Sequence, residues 1–441
     1  MHNSNPKKSQ VFLYSFIALP LAFAGLPLYI HTPDFYVRNF SINLGVIGII
    51  LLFIRFIDAV QDPIIGYLSD RFSAYRFKIM FLGSLLLFIG LGAVCYGPQK
   101  NISSGLWFFI SMVIASSGFS IISINLNLVG GLWSKEPHQR TRISAMREVC
   151  ALFGLILAAI LPSLLTSYFS LEKSFEVLFW IFGIFIFFGI VFFSYFISNN
   201  SISHVAKSPT INVSPYFFKI LFGKNKNFFL ICFFCYLASS VASVTVLFFI
   251  RDYLKSEELS GFFLLLYFLS GSLFMGIWIK LSINIGKKQA WLYSMIISIV
   301  IFIWTYFLSP GDIIAYAVIC VISGGMLGAD LALPPSILAD YITNQKKEDL
   351  AAQFYGVLAF IPKIAISISS CLAFLFLSDI QFVSGQRNSV LALDRLVLIY
   401  SVFPCVIKVL SAGTLFYLCK VEGKLNEKLK NNNIIGGYND T

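Results

Sequence analysis

Apolar residues along this chain form continuous stretches of about twenty residues, separated by short polar segments. A stretch of that length allows an α-helix to cross the hydrocarbon core of a bilayer, whereas strands of a membrane barrel would alternate polar and apolar residues. We therefore predict twelve membrane-spanning helices. The predicted spans cover residues 11–31, 43–65, 79–97, 105–132, 144–168, 176–198, 227–250, 260–281, 289–308, 312–339, 353–378 and 396–419.

A polar segment separates the first six predicted spans from the last six. It defines an N-terminal half over residues 1–198, a linker over 199–226, a C-terminal half over 227–420 and a tail over 421–441. Two six-helix halves with a binding site between them are typical of carriers that work by alternating access. We predict an all-α membrane protein of this architecture, embedded in the lipid bilayer and functional as a monomer.

Composition and charge support this class. Hydrophobic residues make up 58% of the chain and charged residues 12%, whereas soluble domains carry about 25% charged residues. With both termini placed in the cytoplasm, 21 of the 32 Lys and Arg residues fall in inside segments and 7 in outside segments. That bias follows the positive-inside rule and explains the net charge of +11 without a nucleic-acid partner. We predict a multi-pass protein of the cell membrane with cytoplasmic termini.

No catalytic or cofactor-binding pattern accompanies the spans. The four His residues are not placed as an acid–base pair, and no soluble domain with an enzymatic motif is attached. Cys232 and Cys235 have CxxC spacing, but they lie in an apolar run without a second Cys or His cluster to complete a metal site. We predict a transporter of a small molecule rather than an enzyme, with no resident cofactor.

The second predicted span carries a charged stripe. Arg55, Asp58 and Asp62 follow spacings of three and four residues, which share one face of a helix. Charges at bilayer depth are costly and normally face a protein interior or a water-filled path. Two carboxylates one turn apart can bind a hard cation or share a proton. We predict a cation site here; the alternative, a structural ion pair of Arg55 with Asp58, leaves Asp62 unexplained.

The chain leaves this span through a distinctive turn. We expect the helix to break at Pro63, after which Gly66-Tyr-Leu-Ser-Asp70-Arg71 leads into a basic segment. This order resembles the GxLxDR signature of the major facilitator superfamily. The resemblance implies that superfamily's fold and a cytoplasmic gate that contains Gly66, Asp70 and Arg71. The alternative is a solvated basic turn that only sets the topology.

The run from Arg55 to Gly66 fits the pattern RxxDxxxDPxxG. It resembles the second helix of the glycoside–pentoside–hexuronide:cation symporter family. The resemblance implies that Asp58 and Asp62 bind the coupling cation, H⁺ or Na⁺, with Arg55 as a charge partner. The two carboxylates form a metal site only if the coupling ion is Na⁺.

Three further positions match that family. The resemblance places Arg147, on the fifth span, near the substrate; the alternative is an interfacial Arg that reaches the headgroups. It places Lys363 beside the cation site. Lys363 lies too deep in its span to reach the interface, so it needs an acidic partner, for which Asp58 and Asp62 are the candidates. It also implies that Asp340 is a cytoplasmic gate residue.

The chain departs from the family on other spans. The first span, with LPLAFAG at residues 19–25, lacks an acid that would anchor a sugar, and Ser123 stands where the fourth span would carry an acid. Ser123 and Asn127 could line a cavity or simply permit close helix packing. Asp330, ahead of Pro334 and Pro335, is predicted to be a substitute substrate or proton group; the alternative is an Asp satisfied by a neighbouring helix.

These observations lead to a functional expectation. The chain should be a secondary active transporter that couples H⁺ or Na⁺ to the symport of a small solute, such as a sugar or glycoside, by alternating access. The alternative is an uncoupled facilitator or exporter of a non-sugar substrate, such as an organic acid or a lipid-like molecule.

Overall fold

The computed structural model describes residues 6–26, 32–40, 42, 44–98, 102–166, 168–199, 216–379 and 388–436, and regular structure in these ranges is helical throughout. Most of the predicted linker, residues 200–215, lies outside the described residues. The helices of the N-terminal half are α1 (Lys8–Ser15), α2 (Ala18–Leu26), α3 (Thr32–Phe40), α4 (Leu44–Arg71), α5 (Arg76–Tyr96), α6 (Ser104–Trp133), α7 (Pro137–Thr166) and α8 (Leu171–Asn199).

The C-terminal half repeats this pattern of long helices. Its helices are α9 (Phe217–Leu221), α10 (Lys226–Phe248), α11 (Ser260–Ile285), α12 (Lys287–Phe302), α13 (Ile313–Asn344), α14 (Ala351–Asp379), α15 (Val390–Val397) and α16 (Phe403–Gly436). A π-helical segment extends α10, and another joins α15 to α16.

Eleven helices in the described ranges are long and apolar enough to cross a membrane. Helix α4 is not among them, but its 28 residues span about 42 Å at 1.5 Å per residue, which exceeds a bilayer core. It brings the total to the twelve spans that the apolar pattern predicts. The fold is that of an all-α membrane protein.

One local prediction was wrong, and the first predicted span contains a turn that the apolar pattern did not show. Helix α4 does not break at Pro63 but continues to Arg71, and α13 passes through Pro334 and Pro335 without interruption. A proline removes one backbone hydrogen bond, and packing of α4 along α14 and α6 compensates for that loss. The first predicted span is instead divided by a turn at Phe16.

The two halves meet through a small set of helices. Helix α4 packs on α14, α7 packs on α11 and α13, and α6 contacts both α13 and α14. A Cβ added at Gly66 would lie 2.7 Å from the carbonyl oxygen of Ala352, and one at Gly356 would lie 2.8 Å from that of Asp62. The backbones of α4 and α14 therefore approach closely where both carry glycine.

One end of the bundle carries the turns at residues 72–75, 134–136 and 345–350. The described end of the linker lies there too, because the backbone N–H of Tyr216 donates to the Gln353 side chain at 2.8 Å. We call this the linker end. The positive-inside pattern predicts that it faces the cytoplasm.

Candidate functional site

The centre of the site is an ammonium group enclosed by oxygens. The Lys363 Nζ on α14 lies 2.9 Å from Asp58 Oδ1, 2.8 Å from Asp62 Oδ1 and 2.8 Å from Ser120 Oγ. It also lies 3.1 Å from the backbone oxygen of Asp58. The oxygens belong to α4 and α6 of the N-terminal half, whereas the lysine belongs to the C-terminal half. The ionic contacts of this cluster therefore connect the two halves.

A second layer of hydrogen bonds holds the carboxylates in place. Gln61 Nε2 donates to Asp58 Oδ1 at 2.8 Å, and Ser117 Oγ donates to Gln61 Oε1 at 2.7 Å. Asp62 is fully buried, and its Oδ2 has no hydrogen-bond partner in the described part of the chain. Arg55 is half-buried on the same helix. One carboxylate oxygen thus remains available at the centre of a charged cluster.

The predicted contact of Lys363 with Asp58 and Asp62 is present, but the residue contributed by α6 differs from the expected one. Ser120 contacts the lysine, whereas the Ser123 carbonyl accepts from Asn127 Nδ2 at 2.8 Å. Position 123 lies nearly one turn away on the same helix, and an alignment without coordinates could not resolve this shift. The hydroxyl of Ser120 was recognisable only as one of several evenly spaced small polar residues.

Asp70 binds the N-terminal end of α14 at the linker end. Its Oδ1 accepts from the N–H of Ala352 and its Oδ2 from that of Gln353, each at 2.9 Å. The first N–H groups of a helix have no partner within it, and the helix dipole favours an anion there. Asp70 on α4 therefore connects the N-terminal half to α14 of the C-terminal half.

The basic residue beside Asp70 is Arg76 rather than its neighbour in the sequence, Arg71. Arg71 is exposed and donates to the Tyr67 hydroxyl at 3.0 Å. The buried Arg76 lies beside Asp70, with its Nη2 at 3.6 Å from Asp70 Oδ1. Helix α4 ends at Arg71, and the chain then turns back, so that the next arginine at the start of α5 reaches the carboxylate.

A second polar contact between the halves surrounds Asp340. Arg140 Nη1 on α7 donates to Asp340 Oδ1 at 2.9 Å, and Lys287 Nζ donates to Asp340 Oδ2 at 2.5 Å. Arg140 Nη2 also donates to the Thr343 hydroxyl at 2.8 Å. Lys287 is the first residue of α12. The sequence analysis assigned Asp340 to a gate but missed Arg140 as its partner across the halves.

Arg147 lies inside the N-terminal half. Its guanidinium donates to the Asn127 side chain and to the carboxylate of Glu148. The Arg147 side chain is 6% exposed and that of Glu148 is 17% exposed. Arg147 is therefore not an interfacial residue that reaches the headgroups. Sequence reasoning missed Glu148, although an acid within the fifth predicted span, near its start, was the available signal.

Asp330 has a partner within its own half. Its Oδ2 accepts from Lys408 Nζ on α16 at 2.5 Å, and its Oδ1 accepts from Trp291 Nε1 on α12 at 2.9 Å. Both charged residues are buried. This geometry is that of an aspartate satisfied by neighbouring helices. The transport roles predicted for the residues described above remain predictions.

Comparison with known proteins places this geometry in a family. The profile of the family described as MFS/sugar transport protein matches residues 13–422. The chain is 21% identical over 408 residues to the uncharacterized symporter YnaJ of Bacillus subtilis, covering 86% of this chain and 84% of that protein. It is 22% identical over 406 residues to the uncharacterized symporter YjmB of the same organism, covering 86% and 85%.

Solved transporter structures share the fold at low identity. A bacterial homologue of the iron transporter ferroportin, in an outward-facing state with soaked iron, superposes with a TM-score of 0.70 at 14% identity, over 93% of this chain and 99% of that chain. The major facilitator transporter FucP, in the outward conformation, gives a TM-score of 0.67 at 12% identity, over 94% and 99%. At such identities the likeness concerns the fold alone.

Proposed function

Because the chain belongs to the MFS/sugar transport protein family, the glycoside–pentoside–hexuronide branch of the major facilitator superfamily, we propose that it couples a cation, H⁺ or Na⁺, to the symport of a small solute. Membership confirms that the chain is a membrane transporter rather than an enzyme. The coupling ion and the solute are the proposed part. The family description favours a sugar or glycoside as the solute.

The observation that carries the coupling proposal is the oxygen cage around Lys363. Four oxygens lie 2.8–3.1 Å from its ammonium nitrogen, and hard cations prefer such ligands. A Na⁺ ion or a proton at Asp58 and Asp62 would therefore compete with the lysine for the same carboxylates. The unpaired Oδ2 of Asp62 offers a further ligand or a protonation site.

Competition at this position would act on both halves at once. The carboxylates lie on α4 and the lysine on α14, so a cation that takes the place of the lysine weakens an inter-half contact. The solute must then bind better in the presence of the cation, and the cation better in the presence of the solute, because the linkage is reciprocal. Both halves of the site lie in one chain, so a monomer would suffice.

In this proposal, the contacts at the linker end identify the conformational state of the carrier in this structure. Asp70 with α14 and Arg140 with Asp340 close the halves together at that end. We propose a location in the cell membrane with both termini in the cytoplasm, which makes this a state that is closed towards the cytoplasm. Transport then requires these contacts to break while the opposite end closes.

An uncoupled facilitator or exporter is the second candidate. One observation favours it: Lys363 already offsets much of the charge of the two carboxylates, as a purely structural gate contact would require. The missing acids of the first and fourth spans also favour a solute other than a galactoside, such as an organic acid or a lipid-like molecule.

The two candidates are separated by uptake into proteoliposomes. Radiolabelled hexoses, pentoses, hexuronates, glycosides and organic acids are offered with an inward H⁺ gradient, an inward Na⁺ gradient or none. We expect one gradient to stimulate uptake of one solute class, and Asp58→Asn and Asp62→Asn each to abolish the stimulation. Asp394→Asn, the same change on the exposed surface of α15, is the matched control. Stimulation that survives in both buried variants would exclude the coupling role.

A further inference from the structure

We propose that Glu148, held in place by Arg147, is the acid that binds the transported solute by accepting hydrogen bonds from its hydroxyl groups. This proposal deepens the symport function and rests on it. It assigns to α7 a substrate-binding carboxylate that the sequence does not provide on the first or fourth span.

The helical position of Glu148 directs it towards the gap between the halves. On the same helix, Ala145 and Leu152 pack against Met275 and Ala332 of the C-terminal half. Glu148 is three residues after the first of these and four before the second, so it shares their face. Arg147, one position away, points instead to Asn127 inside the N-terminal half.

The opposite side of the gap carries an aromatic hydroxyl. Tyr236 on α10 is only partly buried, and the Glu148 carboxylate lies close enough to act on it electrostatically. Tyrosine combines an apolar ring with a polar tip and is suited to the face of a sugar ring. The carboxylate and the tyrosine thus lie within electrostatic range of each other, one on each half.

The hydrogen bonds of Glu148 leave one of its oxygens available. Oε1 accepts from both Nε and Nη2 of Arg147, and in the described part of the chain Oε2 accepts no hydrogen bond from the protein. A side chain that is 17% exposed lets a solute approach it. The adjacent guanidinium holds the carboxylate in one orientation, so the open oxygen has a defined position from which to accept a hydrogen bond.

The other acids at this depth of the N-terminal half are committed elsewhere. Asp58 and Asp62 bind Lys363, and Asp70 binds the end of α14. Glu148 is therefore a carboxylate with an open acceptor outside the Lys363 cluster, whereas the open Oδ2 of Asp62 belongs to the proposed cation site. A polyhydroxylated solute matches its chemistry because each hydroxyl supplies a donor.

Two measurements test the proposal. The first needs no solute: Glu148→Cys, in a Cys371→Ser/Cys419→Ser background that removes the native cysteines that are not buried, is treated with the membrane-impermeant sulfonatoethyl methanethiosulfonate. Ala158→Cys, on the same helix and fully buried, is the control. We expect labelling of the first and none of the second; an unreactive cysteine at position 148 would overturn the proposal.

The second measurement is equilibrium binding of a hexose, a pentose, a hexuronate and their methyl glycosides. We expect Glu148→Gln to weaken binding of the hydroxylated solute by about tenfold or more, as loss of a charge-assisted hydrogen bond predicts, with Glu148→Asp intermediate. Unchanged affinity, or wild-type protein that binds none of these sugars, would overturn the assignment. The stimulation of uptake by a cation gradient, measured in the same variants, reports separately on the cation site. A failure of the Glu148 assignment can therefore be distinguished from a failure of the coupling proposal.

Discussion

Two buried lysine–aspartate contacts in this protein resemble each other in chemistry and differ in location. Lys363 contacts Asp58 and Asp62 across the two halves, whereas Lys408 contacts Asp330 within the C-terminal half. The first lysine side chain is 15% exposed and the second 10%. The two pairs thus differ in whether they connect the halves or lie within one of them.

The difference follows from what each pair must do during alternating access. If the halves rock against each other, the distance between α4 and α14 changes, while α12, α13 and α16 move as one body. A buried pair contributes little net stability, because desolvation offsets the Coulomb attraction, but removal of one partner is strongly destabilising. The intra-half pair should thus affect folding, and the inter-half pair should affect transport.

The largest expected effect is on stability, at the intra-half pair. Lys408→Met leaves Asp330 buried with a hydrogen bond from Trp291 but without its cation. The free energy of unfolding should fall by about 3–5 kcal/mol. We expect little folded protein by size-exclusion chromatography and a lowered unfolding temperature. Adding Asp330→Asn should restore much of the lost stability. Equal stability of the single and double variants would contradict the comparison.

The corresponding change at the inter-half pair should instead abolish coupling. In Asp58→Asn/Lys363→Met, Asp62 remains and can protonate, so we expect folded protein. The stimulation of uptake by the cation gradient should be lost. Typical coupling free energies correspond to a factor of about 5–150, so gradient-driven uptake should fall by about that factor. Uptake into proteoliposomes measures it. Asp330→Asn/Lys408→Met is the matched double variant, and it should retain stimulation; the opposite result would reverse the two roles.

Gly66→Ala tests the close packing between the two halves. The added methyl group would lie 2.7 Å from the Ala352 carbonyl oxygen, so it should destabilise the linker-end-closed state by about 1–3 kcal/mol. Spin labels at Tyr75→Cys and Lys347→Cys, in a Cys371→Ser/Cys419→Ser background, should show a longer distance than in the protein that keeps Gly66. Gly276→Ala has no atoms within 4 Å of its added Cβ and should leave that distance unchanged.

The smallest effect is expected at Arg71. Its side chain is exposed and contacts Tyr67 and Phe72 on its own half, so Arg71→Ala should change stability by no more than about 0.5 kcal/mol. Arg76→Ala removes the buried base beside Asp70 and should lower the unfolding temperature clearly. Similar unfolding temperatures for the two variants would show that the motif arginine acts at the gate after all.

Much of the architecture could be predicted from the chain because lipid imposes a simple rule. Each span must satisfy its own backbone hydrogen bonds over a fixed thickness, so length and apolarity identify it. The need of the deep Lys363 for an acid likewise followed from the cost of an isolated charge. The helix break at Pro63 was predicted wrongly, because a local proline rule does not include the packing of α4 along α14 and α6.

The sequence by itself determined the twelve spans, the two halves and the identity of the charged residues that require partners. Only the tertiary structure decided which partner each of them has. It selected Ser120 over Ser123, Arg76 over Arg71, and Lys408 for Asp330, and it placed Glu148 towards the gap between the halves. The physical reason is that hydrophobic length is a property of one helix, whereas the choice of an ion-pair partner depends on how several helices turn their faces towards one another.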